Sequence, residues 1–153
     1  MRTFTTLCSA ILLGIGSATP TYAQVGDADE AVRPALREIT AAVVACDINA
    51  YRSHWDKDAS IFIVRGDSLM AIATYLDTWR QVCAGGGHIA FESQGEQIST
   101  YDNVALVTGI ADWTFTAPDG TSNSGRQRST TVLRKTPDGW KIVHAHGSEL
   151  RDP

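Results

Sequence analysis

The turn at residues 136–139, Thr-Pro-Asp-Gly, constrains the fold of this chain more than any other short segment. Proline presets the backbone angle φ at the second turn position, and Asp-Gly tolerates the left-handed angles of a tight reversal. The flanking runs are rich in β-branched residues, so residues 126–148 are predicted to form a β-hairpin. Strand alternation then places Trp140, Ile142, His144, His146 and Ser148 on one face, and Lys141, Val143, Ala145 and Gly147 on the other.

The first 23 residues have the pattern of a secretory signal peptide. Arg2 supplies the positive start, residues 7–15 form a short apolar core, and residues 21–23, Thr-Tyr-Ala, fit a cleavage site. The mature protein is therefore expected to be a single domain over residues 24–153, located in the periplasm or secreted. No second apolar run reaches membrane length, so no membrane attachment is expected after cleavage.

Charge and motif content narrow the possible partners. The net charge is −4, and basic residues cluster only as Arg126 with Arg128 and Arg134 with Lys135. This balance argues against a nucleic-acid partner. The three glycines at 85–87 follow a predicted helix instead of opening one, so they do not form a phosphate-binding loop. No cofactor is expected.

Cys46 and Cys83 are the two cysteines of the predicted mature chain. An even pair in an exported protein favours a disulfide, because the compartment is oxidising. The alternative is two buried reduced thiols. Both cysteines fall on apolar stripes with helical spacing, so the two helices can pack together at these points. The stripes are Val32, Leu36, Ile39, Val43 and Cys46 in one helix, and Leu69, Ile72, Leu76, Trp79 and Cys83 in the other.

Local signals set the expected limits of these elements. Pro34 lacks an amide hydrogen, so the first regular helix is expected to begin near Arg33. A short helix is predicted at residues 50–55, with Asp47 or Asn49 as its cap, and a strand at residues 58–64. Asp67 or Ser68 is expected to cap the next long helix.

The chain after residues 85–87 is predicted to form a β-sheet, with strands at 88–99 and 104–116 before the hairpin. Four strands joined by short turns predict an antiparallel meander, and the N-terminal helices segregate from it, so the fold class is α+β. The 104–116 strand is apolar on both sides, which requires cover on both sides. We expect the helices to cover one face and a second copy of the chain to cover the other, giving a homodimer through the sheet. Val104, Leu106 and Ile110 lie on one face of that strand, and Val107, Trp113 and Phe115 on the other.

Two segments carry a family resemblance. Residues 131–135 and 138–148, with residues 46–51 leading to Asp58 and Phe62, resemble the SnoaL-like branch of the nuclear transport factor 2-like superfamily. They are also similar to the association domain of calcium/calmodulin-dependent kinase II. The resemblance implies a cone-shaped, curved antiparallel sheet wrapped around N-terminal helices, a cystatin-like arrangement that is commonly dimeric and has a pocket between sheet and helices.

The resemblance leaves activity open, because members include isomerases, cyclases, dehydratases, epoxide hydrolases and non-catalytic binding modules. The kinase association domain lines its pocket with arginines. The corresponding positions here are Ala111, Thr131 and Gly147, which argues against anion binding by that route.

His144 and His146 are a candidate metal site. Same-face histidines on a strand can begin such a site, but a third and fourth ligand are not evident from spacing. The favoured interpretation is that the pair packs and hydrogen-bonds on the sheet face or at a dimer interface.

Asp112 is a candidate general acid or base, since it interrupts an apolar strand beside Trp113. The favoured alternative is a structural cross-strand pair with Arg126 or Arg128.

Aromatic residues on the helices and the central strand are predicted to line a mainly apolar pocket, with small residues leaving room for a ligand. Two functions follow. The first is a protein that binds a small, largely apolar molecule and acts on it by cofactor-independent acid/base chemistry as an isomerase, cyclase or dehydratase. The second is a non-catalytic dimerising or binding module. The predicted ligand-binding residues are Tyr51, Trp55, Tyr75, Trp79, Ala111, Trp113 and Ala145.

Overall fold

The computed structural model of the chain describes residues 25–63 and 68–150, with side chains described from Asp29 onward. The predicted signal peptide and its cleavage site before Gln24 lie outside these residues. In the described part, three helices lie against one six-stranded sheet, which is the predicted α+β arrangement.

The first helix, α1, spans Val25–Val44 and contains Pro34, so the expected start near Arg33 is wrong. Proline removes a single helical hydrogen bond, the one to the carbonyl of Glu30, and the exposed Pro34 ring does not disturb the core. Arg33 Nη2 also donates to Asp29 Oδ2 at 2.8 Å one turn earlier, which supports the first turns. No helix in the described part of the chain is long and apolar enough to cross a membrane.

The two other helices begin at different residues from those predicted. Helix α2 spans Ile48–Ser53, because Asp47 is its cap and accepts a hydrogen bond from the Ala50 amide at 2.9 Å. Helix α3 spans Ile72–Ala84 and has no side-chain cap, so the expected cap at Ser68 is wrong. The residues before it, Met70–Ala71, pair with a strand instead. The alternative cap, Asp67, lies outside the described residues.

The sheet has the strand order β2-β1-β6-β5-β4-β3. The predicted meander from β3 to β6 is confirmed, with antiparallel pairing throughout. Strand β1 pairs parallel with β6, so the curved sheet is mixed and the expectation of a wholly antiparallel sheet is wrong in this respect. The strands are β1 Trp55–Phe62, β2 Met70–Ala71, β3 His88–Tyr101, β4 Val104–Thr116, β5 Ser122–Thr136 and β6 Gly139–Glu149.

A bulge in β6 changes which side chains share a face. Val132 pairs with His144 but Leu133 pairs with Ile142, so Val143 is an extra residue in β6. Ile142 therefore points into the core, while His144 lies on the opposite side. The predicted single face running from Trp140 to Ser148 is wrong for this reason. We call the side of the sheet toward the helices the inner face, and the opposite side the outer face.

The core lies between the inner face and the helices. Cys46 and Cys83 form a disulfide with a Cα–Cα distance of 5.8 Å, which ties the residues after α1 to α3. A crosslink across a sequence separation of 37 residues stabilises the folded state by about 3–4 kcal/mol in the chain-entropy description. Buried core residues include Val32, Tyr51, Trp55, Ile61, Ile72, Leu76, Trp79, Val107, Leu133 and Ile142.

Candidate functional site

Three aromatic rings from three elements meet at the inner face. Tyr51 of α2, Trp55 of β1 and Tyr75 of α3 have ring centroids 5.9 to 6.4 Å apart, in edge-on or tilted arrangements. Such geometry is favourable for aromatic pairs, because the positive edge of one ring meets the negative face of the next. The short α2 helix and the start of β1 place Tyr51 and Trp55 four residues apart, facing α3.

The two tyrosines in this group are held in their neutral form. Burial raises the pKa of Tyr51 well above its usual value of 10.0; the Tyr75 hydroxyl raises it further, and the Trp55 indole opposes the effect. Burial also raises the pKa of Tyr75, with the Tyr51 hydroxyl lowering it in part. At neutral pH both side chains therefore present hydroxyl groups that can donate and accept hydrogen bonds.

Trp79 lies one turn after Tyr75 on α3, so both side chains lie on the same side of that helix. Its ring centroid is 6.4 Å from that of Phe115 on β4. The Trp79 side chain is 9% exposed, and its indole nitrogen Nε1 is buried without a hydrogen-bond partner among the described residues. A buried N–H group without an acceptor is costly, because it has lost its bonds to water. We call Tyr51, Trp55, Tyr75, Trp79 and Phe115 the inner aromatic cluster.

The other predicted ligand-binding residues lie on the inner face of the sheet. Ala111 and Trp113 follow the same alternation along β4 as the buried Val107. Ala145 of β6 pairs with Ile61 of β1, which is also buried. The structure thus places all seven predicted residues on the helix-facing side of the sheet, and a ligand-binding role for them stays a prediction.

Asp112 lies on the outer face, away from the inner aromatic cluster. Its Oδ1 is 3.3 Å from Arg126 Nε, and its Oδ2 accepts a hydrogen bond from Gln94 Nε2 at 2.7 Å. Both charged side chains are well exposed, at 44% for Asp112 and 50% for Arg126. This geometry agrees with the favoured structural interpretation of Asp112, with Arg126 as the cross-strand partner.

His144 and His146 also lie on the outer face, where both rings contact Phe62. His144 Nδ1 is 3.0 Å from Ser60 Oγ, so this ring takes part in a polar contact between β6 and β1. Within residues 29–63 and 68–150, no group of three or more histidine, cysteine or acidic side chains is arranged to hold a metal ion.

Two features of the site were not found from the sequence. The unmatched indole N–H of Trp79 depends on its three-dimensional surroundings, for which the sequence contains no signal. Gly125 faces Trp113 across the sheet and leaves space for the indole ring. A glycine inside a strand next to a large aromatic residue is a usable signal for such a close approach.

Comparison with known proteins identifies the family. The family model of the SnoaL-like domain matches residues 32–152. A search of curated proteins finds no significant match.

Several solved structures have the same fold. A candidate dehydratase of the nuclear transport factor 2-like family from Streptomyces avermitilis is 21% identical, with a TM-score of 0.73, covering 82% of this chain and 98% of that one. A candidate aromatic ring hydroxylase from Novosphingobium aromaticivorans is 19% identical, with a TM-score of 0.72 and coverage of 82% and 90%.

A third similar structure is a candidate calcium/calmodulin-dependent kinase II association domain from Exiguobacterium sibiricum. It is 20% identical, with a TM-score of 0.71 and coverage of 81% and 94%. These identities establish a shared fold and not a shared activity. Because the family match spans most of the chain, and the sequence resemblance and the fold agree with it, this protein belongs to the SnoaL-like domain family of the nuclear transport factor 2-like superfamily.

Proposed function

We propose that this protein binds a small, largely apolar molecule against the inner aromatic cluster, and that the ligand carries an oxygen atom that accepts a hydrogen bond from Trp79 Nε1. The main support for this proposal is that the indole N–H group of Trp79 is buried without a hydrogen-bond partner among the described residues. A ligand oxygen would supply the missing acceptor, and the surrounding rings would supply apolar contact area.

The cluster favours an uncharged ligand. Its ionisable groups are Tyr51 and Tyr75, whose raised pKa values keep both neutral at physiological pH. A charged ligand would lose its hydration without gaining an opposite charge from these groups. The neutral hydroxyls can orient a ligand by hydrogen bonds, in addition to the Trp79 indole.

Catalysis by an isomerase, cyclase or dehydratase mechanism is the second candidate. The Tyr51 and Tyr75 hydroxyls support it, because each can donate a proton or a hydrogen bond to a ligand oxygen. The similarity to a candidate dehydratase and to a candidate ring hydroxylase also points to small organic molecules. Binding without turnover is favoured, because a raised pKa makes each hydroxyl a weaker proton donor and leaves almost no tyrosinate to act as a base at neutral pH.

Export and dimerisation complete the proposal. The Cys46–Cys83 disulfide supports a periplasmic or secreted location, where such bonds persist. Phe62 and Ile110 are each 37% exposed on the outer face, which supports association of two copies through this side of the sheet.

A matched pair of ligands tests the binding proposal. Acetophenone and ethylbenzene have similar apolar bodies, but only acetophenone has an acceptor oxygen. We expect calorimetry to give acetophenone an affinity about two- to ten-fold higher, as one added hydrogen bond would provide. In the W79F variant, which keeps an aromatic ring but loses the N–H group, the two affinities should become equal.

The control variant is Y101F, because Tyr101 is 64% exposed at the end of β3 and lies outside the inner aromatic cluster. Its preference for acetophenone should match that of the unaltered protein. If neither compound binds, or if W79F keeps the full preference, the proposed role of Trp79 is wrong.

A further inference from the structure

A separate cleft of about 410 Å³ lies between α1, the end of α2 and the turn that joins β5 to β6. Its volume falls within the range of about 300–1,000 Å³ for small-molecule sites. It is lined by residues that include Pro34, Glu38, His54, Asp138, Trp140 and Lys141, and it shares none with the inner aromatic cluster.

The walls of this cleft are fixed in place by hydrogen bonds. Lys141 Nζ donates to the Ser53 carbonyl at 2.6 Å, and the Ile142 amide donates to the His54 carbonyl at 2.7 Å. These bonds join the end of α2 to the start of β6. In the turn, Thr136 Oγ1 donates to the Gly139 carbonyl at 2.9 Å. A cleft held in this way loses little conformational entropy when a ligand enters.

The α1 wall of the cleft is mostly apolar. Ala31, Pro34 and Ala35 line it, together with Glu38 one turn further along the helix. An apolar surface beside a carboxylate suits a ligand that has an apolar part and a positive group.

The charges in the cleft favour a positive ligand. Glu38 and Asp138 contribute two carboxylates, and Lys141 contributes one ammonium group, whose nitrogen already contacts the Ser53 carbonyl. Burial lowers the pKa of His54 below its usual 6.5; Glu38 opposes this shift and Lys141 reinforces it. The His54 ring is therefore uncharged at neutral pH, and the cleft has a net negative charge.

Trp140 adds aromatic surface to this negative cleft. Ammonium groups are attracted to tryptophan rings, and a nearby carboxylate attracts them as well. We propose that the cleft is a second ligand site that takes a small protonated organic amine, with its ammonium group close to Glu38 and its apolar part against Trp140.

Titration of ¹⁵N-labelled protein with phenethylamine, followed by nuclear magnetic resonance, tests this proposal. The expected result is a saturable shift of the Trp140 indole resonance and of the Gly139 amide. Phenylacetate and 2-phenylethanol have the same ring with a negative charge or none. Each should give at least a five-fold weaker response at Trp140. Raised salt should weaken the phenethylamine response, because the cleft is open to solvent.

Two matched variants locate the charge that binds the amine. E38Q removes a carboxylate of the cleft, and we expect it to weaken phenethylamine binding about two- to five-fold, as for an exposed ion pair. E92Q removes an exposed carboxylate of β3 and should leave binding unchanged. The proposal is overturned if phenylacetate binds Trp140 as tightly as phenethylamine, if phenethylamine gives no saturable shift there, or if E38Q and E92Q behave alike.

Discussion

The Trp113 indole lies directly against the backbone of Gly125 on the neighbouring strand. The two residues pair across β4 and β5, and a Cβ atom built on Gly125 would lie 2.6 Å from Trp113 Cζ2. That distance is far below any normal carbon–carbon contact, so only glycine lets the ring occupy this part of the inner face. The position of a predicted ligand-binding residue is therefore set by a residue of another strand.

The G125A substitution tests this relationship. The added methyl group should displace the Trp113 ring and lower the free energy of unfolding by about 1–3 kcal/mol, as overpacking does. Urea denaturation measures the loss, and near-ultraviolet circular dichroism should report the moved indole. The control is G109A, whose Cβ would meet its nearest atom at 3.4 Å. If G109A lowers the free energy of unfolding as much as G125A does, the close contact between Gly125 and Trp113 is not the cause of the loss.

The raised pKa values of Tyr51 and Tyr75 predict how stability depends on pH. Both hydroxyls hold their protons more tightly in the folded state than in the unfolded chain, where tyrosine ionises near pH 10. Their contribution to the free energy of unfolding is complete below about pH 10. It is lost as the pH rises further, because the unfolded chain releases these protons at a lower pH than the folded protein does.

Urea denaturation between pH 7 and 11 measures this effect. The decline in unfolding free energy above pH 10 should be steeper in the unaltered protein than in Y51F or Y75F, each of which removes one of the hydroxyls. An identical decline in all three proteins would contradict the assignment of these shifts to burial in the cluster.

The outer-face position of Asp112 predicts that it has no part in ligand binding. D112N keeps the shape of the side chain but removes the charge that faces Arg126. Because both groups are exposed, the unfolding free energy should fall by less than about 1 kcal/mol. The affinity for acetophenone should not change. A ten-fold loss of affinity in D112N would restore Asp112 as a functional residue.

Phe62 provides a test of the proposed dimer. It is 37% exposed on the outer face and contacts the rings of His144 and His146. F62S should raise the dimer dissociation constant about ten-fold or more, since large aromatic residues at an interface centre carry much of the binding energy. Analytical ultracentrifugation measures this. V44S alters another exposed apolar residue, at the end of α1, and should leave the dimer intact.

The sequence predicted the elements whose signals are local. The turn at residues 136–139, the glycines that end α3 and the alternating strands all depend on nearby residues, and the helices and the four-strand meander follow from them. The apolar stripes also predicted that Cys46 and Cys83 come together, although Cys46 lies in the turn after α1 and not in the helix itself. The family resemblance then supplied the arrangement of helices against a curved sheet.

The wrong predictions about the sheet, unlike those about where the helices start, depend on how strands pair with one another. The parallel pairing of β1 with β6 joins residues far apart in the chain, and Met70 and Ala71 become a strand only because β1 lies beside them. The extra residue Val143 follows from the register between β5 and β6, which alternation alone does not give. For the candidate site, the sequence indicated which aromatic residues could line a ligand pocket. It did not indicate which of their polar atoms are buried without a hydrogen-bond partner.

The indole resonance of Trp79 tests the central claim most directly. In ¹⁵N-labelled protein, the Nε1–H signal of Trp79 is identified by its loss in W79F. Acetophenone should move it downfield in a saturable manner, because the ligand oxygen accepts a hydrogen bond from this group, and ethylbenzene should not. A Trp79 signal that stays in place at saturating acetophenone would contradict the proposal that this N–H group binds the ligand.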